Sequence, residues 1–171
     1  MKLYSVNAGH FKLDGGAMFG VVPKSMWNKI NPADENNMCS WALRCLLIED
    51  EGRLILVDTG MGNKQDEKFF GHYYMHGNDT QEKSLAKYGF TKDDITDVLL
   101  THLHFDHCGG AIAKVNDTLV PAFKKCYLLE QCKALEMGCR TQRQRKGIFL
   151  KRKYFTYTTK RETKIYRRIS K

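Results

Sequence analysis

Three histidines and one aspartate fall within six residues of this chain. They are His102, His104, Asp106 and His107, in the stretch Thr101-His102-Leu103-His104-Phe105-Asp106-His107-Cys108-Gly109-Gly110. Imidazole nitrogens and carboxylate oxygens are the donors that borderline divalent metals take, zinc above all. His102 and His104 are two apart, so in extended backbone they point the same way and can grip one ion. Asp106 and His107 follow where the chain turns, and can be aimed at a second ion. Gly109 and Gly110 let the backbone pass close to the metals without a side-chain clash.

The elements that must position these donors are legible upstream. Val98-Leu99-Leu100 is a short buried-type strand that runs straight into the motif. Residues 53–57 read as the returning strand of a hairpin whose outgoing strand is residues 40–48, with Glu49-Asp50-Glu51-Gly52 as the turn. Asp58 ends the returning strand, and Gly60 and Gly62 open the loop after it.

The pattern His-x-His-x-Asp-His after a hydrophobic strand resembles the signature of the metallo-β-lactamase superfamily. Leu54-Ile55-Leu56-Val57-Asp58-Thr59-Gly60 resembles that superfamily's earlier strand-Asp-Thr-Gly motif. The start of the chain is similar to the lactonase and organophosphate-hydrolase-like branch. The resemblance covers residues 1–123. It implies an α/β fold, the N-terminal half of an αββα sandwich, and a metal-dependent hydrolase with two Zn²⁺ ions. His102 and His104 would hold the first ion, and Asp106 and His107 the second. Asp106 would also be catalytic, orienting the attacking water or carrying the leaving-group proton. Asp58 would buttress the site from behind, as carboxylates bonded to metal-binding imidazoles do.

The same resemblance implies donors that this chain does not show. A later histidine should complete the first site, a later aspartate should bridge the metals, and a last histidine should complete the second. No histidine follows His107, and the one later aspartate, Asp117, lies close behind the motif. The expected site is therefore about half built, and the chain reads as truncated.

The rest of the chain is punctuated by turns. Residues 2–8 read as a first strand, residues 10–16 as a turn, and residues 17–22 as an apolar segment that Pro23 ends. A polar loop spans residues 24–38. Residues 63–70 and 80–88 read as helices, the second stopped by Gly89, and Thr91-x-x-Asp94 reads as a capping box. His72 and His76 are four apart, but Gly71 and Gly77 bracket them and argue for a loop.

Composition changes abruptly at residue 124. Residues 1–123 carry 12 Lys+Arg and 16 Asp+Glu, a net of −4, whereas residues 124–171 carry 16 Lys+Arg and 3 Glu, a net of +13. Two domains of composition follow: an N-terminal metallo-β-lactamase-like part, 1–123, and a basic tail, 124–171. Residues 127–137 have the spacing of an amphipathic helix. Three readings of the tail stand: an off-frame translation, a solvated segment, and a nucleic-acid-binding extension. The composition break, the missing donors and the length favour the first.

These charges also bear on function. A net of −4 around the motif argues against a polyanionic substrate. Hydrolysis of a small lactone, ester or phosphotriester is therefore the expected activity. Phosphodiester cleavage of a nucleic acid, or a non-catalytic metal-binding fragment, is the alternative. No stretch approaches the ~20 apolar residues of a membrane span. The six cysteines form no Cys-x-x-Cys pair, which points to reduced thiols and a cytoplasmic setting.

Overall fold

A computed structural model describes residues 1–123 and the strand Tyr127–Glu130. Strands β1 (Lys2–Asp14) and β2 (Met38–Asp50) form a long antiparallel pair, interrupted by a bulge between Asn7 and His10. Gly9, in the bulge, has φ +131°, a conformation closed to most side chains. Strand β3 (Arg53–Val57) returns antiparallel to β2 through Glu51 and Gly52, at φ +47° and +76°. Two successive positive φ values match the right-handed twist of the flanking strands.

Strand β4 (Asp97–Leu100) then lies parallel to β3. Parallel neighbours need a crossover, and residues 58–96 supply it. Their helical pieces are α3 (Glu67–Gly71), α4 (Gln81–Ala86) and the 3₁₀ turn Lys92–Asp94. Thr80 caps α4 by accepting from Lys83 N, and Thr91 and Asp94 form the expected capping box. Two short helices, α1 (Gly15–Phe19) and α2 (Lys24–Trp27), separate β1 from β2. A short helix, Phe105–Cys108 (α5 below), lies within the histidine motif. Strands β5 (Ile112–Val115) and β6 (Thr118–Pro121) make a separate hairpin.

One face of the main sheet is closed by α4. Val6, Cys45, Leu47, Leu56, Val98 and Leu100 alternate onto that face and pack with Leu85. Leu47, Leu56 and Leu85 are fully buried, each worth about 2 kcal/mol of transfer from water. On the opposite face Leu3, Leu46 and Leu99 remain substantially exposed.

Two sequence expectations are corrected. Residues 10–14 do not turn; β1 continues through them, paired with Met38 to Ala42. The apolar segment 17–22, to which no secondary structure was assigned, begins in the helix Gly15–Phe19, whose Asp14 carboxylate cap accepts from Ala17 N. The start of the expected helix 127–137 is a strand, β7 (Tyr127–Glu130), parallel to β4 at the sheet edge. Short apolar runs do not discriminate helix from strand, and an open parallel edge decided this one. The main sheet thus has the order β1-β2-β3-β4-β7 and extends past the composition break at residue 124. The remainder of that helix and the tail readings lie outside the described residues.

Arg53 at the start of β3 forks onto Asp97 at the start of β4, with Nε to Oδ2 at 3.0 Å and Nη2 to Oδ1 at 2.6 Å. Asp97 is buried and also accepts from Thr96 Oγ1 at 2.7 Å. Arg53→Ala is expected to cost about 2 kcal/mol in urea unfolding, because it strips a charged acceptor of two donors. Arg53→Lys should recover only part of that loss, since an ammonium cannot fork.

Candidate metal centre

Strands β3 and β4 are adjacent and parallel, so their carboxyl ends finish side by side. In open sheets with parallel strands, that edge is where sites form. Asp58 follows β3, and Thr101 to His107 follow β4. Backbone hydrogen bonds stitch the two loops together. Asp58 N donates to Leu99 O at 2.8 Å, Thr59 N to His107 O at 2.7 Å, and Gly110 N to Gly60 O at 2.8 Å. Lys64 adds a side-chain bond from its ammonium to Gly109 O, and burial lowers its pKa.

This docking explains the glycines. A Cβ on Gly109 would collide with the Met61 backbone, and one on Gly110 with the Thr59 carbonyl. A Cβ on Gly62 would lie 2.8 Å from Gly109 O. The atoms nearest to such a Cβ at Gly109 and Gly110 are backbone atoms of the loop after Asp58.

Asp58 is the hub. It is only 7% exposed and adopts φ +60°, a left-handed conformation that costs a non-glycine residue energy. Its Oδ1 accepts from Thr101 N at 2.9 Å, and its Oδ2 lies 2.8 Å from His107 Nδ1. A carboxylate only accepts, so His107 Nδ1 carries a proton and Nε2 is left as the donor atom for a metal.

The three imidazoles cluster. Ring centroids are 4.0 Å apart for His102 and His107, and 4.7 Å for His102 and His104. Asp106 and His107 sit in α5, with Asp106 Oδ2 3.5 Å from His107 Nε2. Burial pushes the His102 pKa down, and the neighbouring His107 and His104 push it the same way. The donor types and the His107 tautomer fit zinc. Among the described residues, however, no group of three or more His, Cys, Asp or Glu side chains is arranged to hold a metal ion. Asp117 sits in the β5–β6 turn, 91% exposed and paired with Lys114 at 2.7 Å.

Two features escaped the sequence reading. One is Thr101, which lies between Asp58 and His102. The other is an aromatic wall beginning inside the motif: Phe105 is 4.5 Å from Tyr73 and 5.4 Å from Phe69 by ring centroids. The wall joins a cluster around Phe11, Leu43 and Met61. Asp106 contributes, after burial, to raising the Tyr73 pKa. An apolar residue between two motif histidines was the available signal for it. His72 and His76 do not share a helix face. His72 flanks the end of α3, whereas His76 bridges to β1 through His10 and has Nε2 2.7 Å from Ser40 Oγ.

Cys45 lies beneath the hub. Burial pushes its pKa up to about 12, and the charge of Asp58 adds to the rise. Iodoacetamide at pH 8 is expected to label it on the order of a thousand-fold more slowly than a free thiol, because only the thiolate reacts. Mass spectrometry of native against urea-unfolded protein reads this directly.

The described residues thus form a mixed α/β sheet with a metal-type motif at the ends of its adjacent parallel strands. Residues 44–122 match the metallo-beta-lactamase superfamily, and the described part of the chain has the architecture of about half of the metallo-β-lactamase fold. The N-acyl homoserine lactonase AiiA of Bacillus thuringiensis subsp. kurstaki is 31% identical over 129 residues, covering 70% of this chain and 47% of the relative. A crystal structure of a probable metal-dependent hydrolase from Staphylococcus aureus superposes with TM-score 0.73 at 32% identity, covering 81% of this chain and 50% of that one. AidC, a dizinc quorum-quenching lactonase, superposes with TM-score 0.61 at 27% identity, covering 80% and 43%. The chain spans about half the length of the curated relatives it matches.

Proposed function

We propose that this chain carries the first-strand-pair half of a zinc-dependent hydrolase site whose substrate is a small lactone, ester or phosphotriester, with a lactone preferred. The observation that supports this most is the Asp58 hub, which holds the His107 tautomer beside two further imidazoles and a carboxylate. The lactonase relatives support the substrate class. So do the aromatic wall at Phe105, which suits an apolar organic group, and the net charge of −4 over residues 1–123.

His102, His104, Asp106 and His107 would hold the metal. When bound, zinc lowers the pKa of its water toward about 7 and polarises a carbonyl. Lactone opening adds a water oxygen to the carbonyl carbon, breaks the ring C–O bond and protonates the departing oxygen. Asp106, whose Oδ2 lies 3.5 Å from His107 Nε2, would take the proton from water and return it to that oxygen. The free thiols Cys39, Cys45 and Cys108 support a cytoplasmic setting as part of the same proposal.

The test is elemental analysis of the zinc-loaded, dialysed full chain, with a lactone panel set against single-stranded RNA and DNA. Zinc-dependent ring opening without nucleic-acid cleavage is expected. Nucleic-acid cleavage would overturn the substrate class. A second reading is a metal-binding fragment without turnover, favoured by the unclosed donor set among the described residues. Less than about one loosely held zinc and no turnover would establish it over the first.

A further inference from the structure

We propose that the Thr101 hydroxyl is a hydrogen-bond relay through which Asp58 sets the tautomer of His102, so that one buried carboxylate orients two metal-binding imidazoles. The inference rests on the zinc reading above. Thr101 Oγ1 lies 2.9 and 2.8 Å from the two Asp58 oxygens and 3.0 Å from His102 Nδ1. A hydroxyl has one proton to give and lone pairs to receive, whereas a carboxylate only receives. If that proton pointed at His102, an oxygen lone pair would face the Asp58 oxygens at under 3 Å, with no proton between them. The hydroxyl therefore donates to Asp58, and its lone pair accepts from His102 Nδ1–H. His102 is left with Nε2 as its free donor atom.

His107 reaches the same state without an intermediary, because its Nδ1 meets Asp58 Oδ2 directly at 2.8 Å. The Thr101 backbone N–H, on Asp58 Oδ1 at 2.9 Å, holds residue 101 in place whatever its side chain. The two imidazoles, with centroids 4.0 Å apart, are thus given the same tautomer by one anion before any metal arrives. Thr101 acts through His102 and is a positioning residue. Outer partners that fix tautomers in this way are worth about 10–100-fold in metal affinity.

The test uses the full chain, zinc-free and ¹⁵N-labelled at histidine, at a pH where the imidazoles are neutral. Long-range ¹H–¹⁵N correlation reads which ring nitrogen carries the proton, and competition with a chelator reads zinc affinity. In the unsubstituted chain both His102 and His107 should be Nδ1–H. In Thr101→Val, His102 should shift toward Nε2–H while His107 stays, and zinc affinity should fall about 10–100-fold. Thr101→Ser should restore both. Residue 101 is exposed, so these variants are expected to fold, and Thr101→Ala repeats the measurement with a smaller side chain. If His102 stays Nδ1–H in Thr101→Val and Thr101→Ala while zinc still binds, the relay is wrong and the metal reading survives. If the tautomer moves as expected but no form of the chain binds zinc, the relay stands and the metal reading falls. A tautomer shift with unchanged zinc affinity would remove the relay's role in metal binding.

Discussion

Gly110→Ala and Gly109→Ala are each expected to destabilise this protein by about 3 kcal/mol or more, the upper range for overpacking a closed site. The new methyl group would collide with backbone, namely the Thr59 carbonyl for residue 110 and Met61 for residue 109. Backbone cannot swing aside as a side-chain tip can. It is also pinned by the bonds from Gly110 N to Gly60 O and from Thr59 N to His107 O. The relief available is to pull the Asp58 loop away from the histidine loop, which separates His107 from Asp58. Both variants should therefore lose zinc affinity together with stability. Urea unfolding and a zinc titration measure the two. Gly71→Ala is the control. A Cβ there meets nothing within 4 Å and no positive φ is required, so it should be neutral or slightly stabilising. Equal behaviour of Gly110→Ala and Gly71→Ala would refute the backbone-contact account.

Asp58→Ala should cost at least about 100-fold in zinc affinity, the upper range for an outer partner, because it frees two imidazoles at once. It also removes the acceptor of the Thr101 N–H, the Thr101 hydroxyl and the His107 Nδ1–H. Alanine would inherit φ +60° without compensation, which adds about 1 kcal/mol of strain. Asp58→Asn separates the two effects. Asparagine tolerates the left-handed backbone, so the fold should persist. Its amide group supplies at most one oxygen where the site needs two acceptors, so zinc binding should still fall. Thermal unfolding and chelator competition on both variants give the split. Full zinc affinity in Asp58→Asn would show that the carboxylate is not the hub.

The types and spacing of the metal-type donors at residues 102–107 are legible in the chain itself, and the fold gathers His102, His104 and His107. A hairpin turn within residues 49–52, a helix between Thr80 and Gly89 and the capping box at Thr91 were also readable. Each depends on φ preferences or on hydrogen bonds between residues a few positions apart. β1 beyond His10 was not readable, because its extended state depends on pairing with β2, some 30 residues away in the chain. The strand at Tyr127–Glu130 was missed for the same reason: the free edge of β4 determines it.

Sequence by itself thus determined which donor-type side chains stand at residues 102–107, the turns and the family resemblance, since these live in residue identity and short-range geometry. Tertiary structure alone decided that Asp58 reaches His107 and Thr101, residues more than 40 positions away. It also decided that Gly109 and Gly110 serve a backbone contact, and that Phe105 meets Tyr73 and Phe69. The physical reason is the parallel pairing of β3 and β4. It sets two distant loops at one edge of the sheet, and no local preference in either loop encodes that meeting.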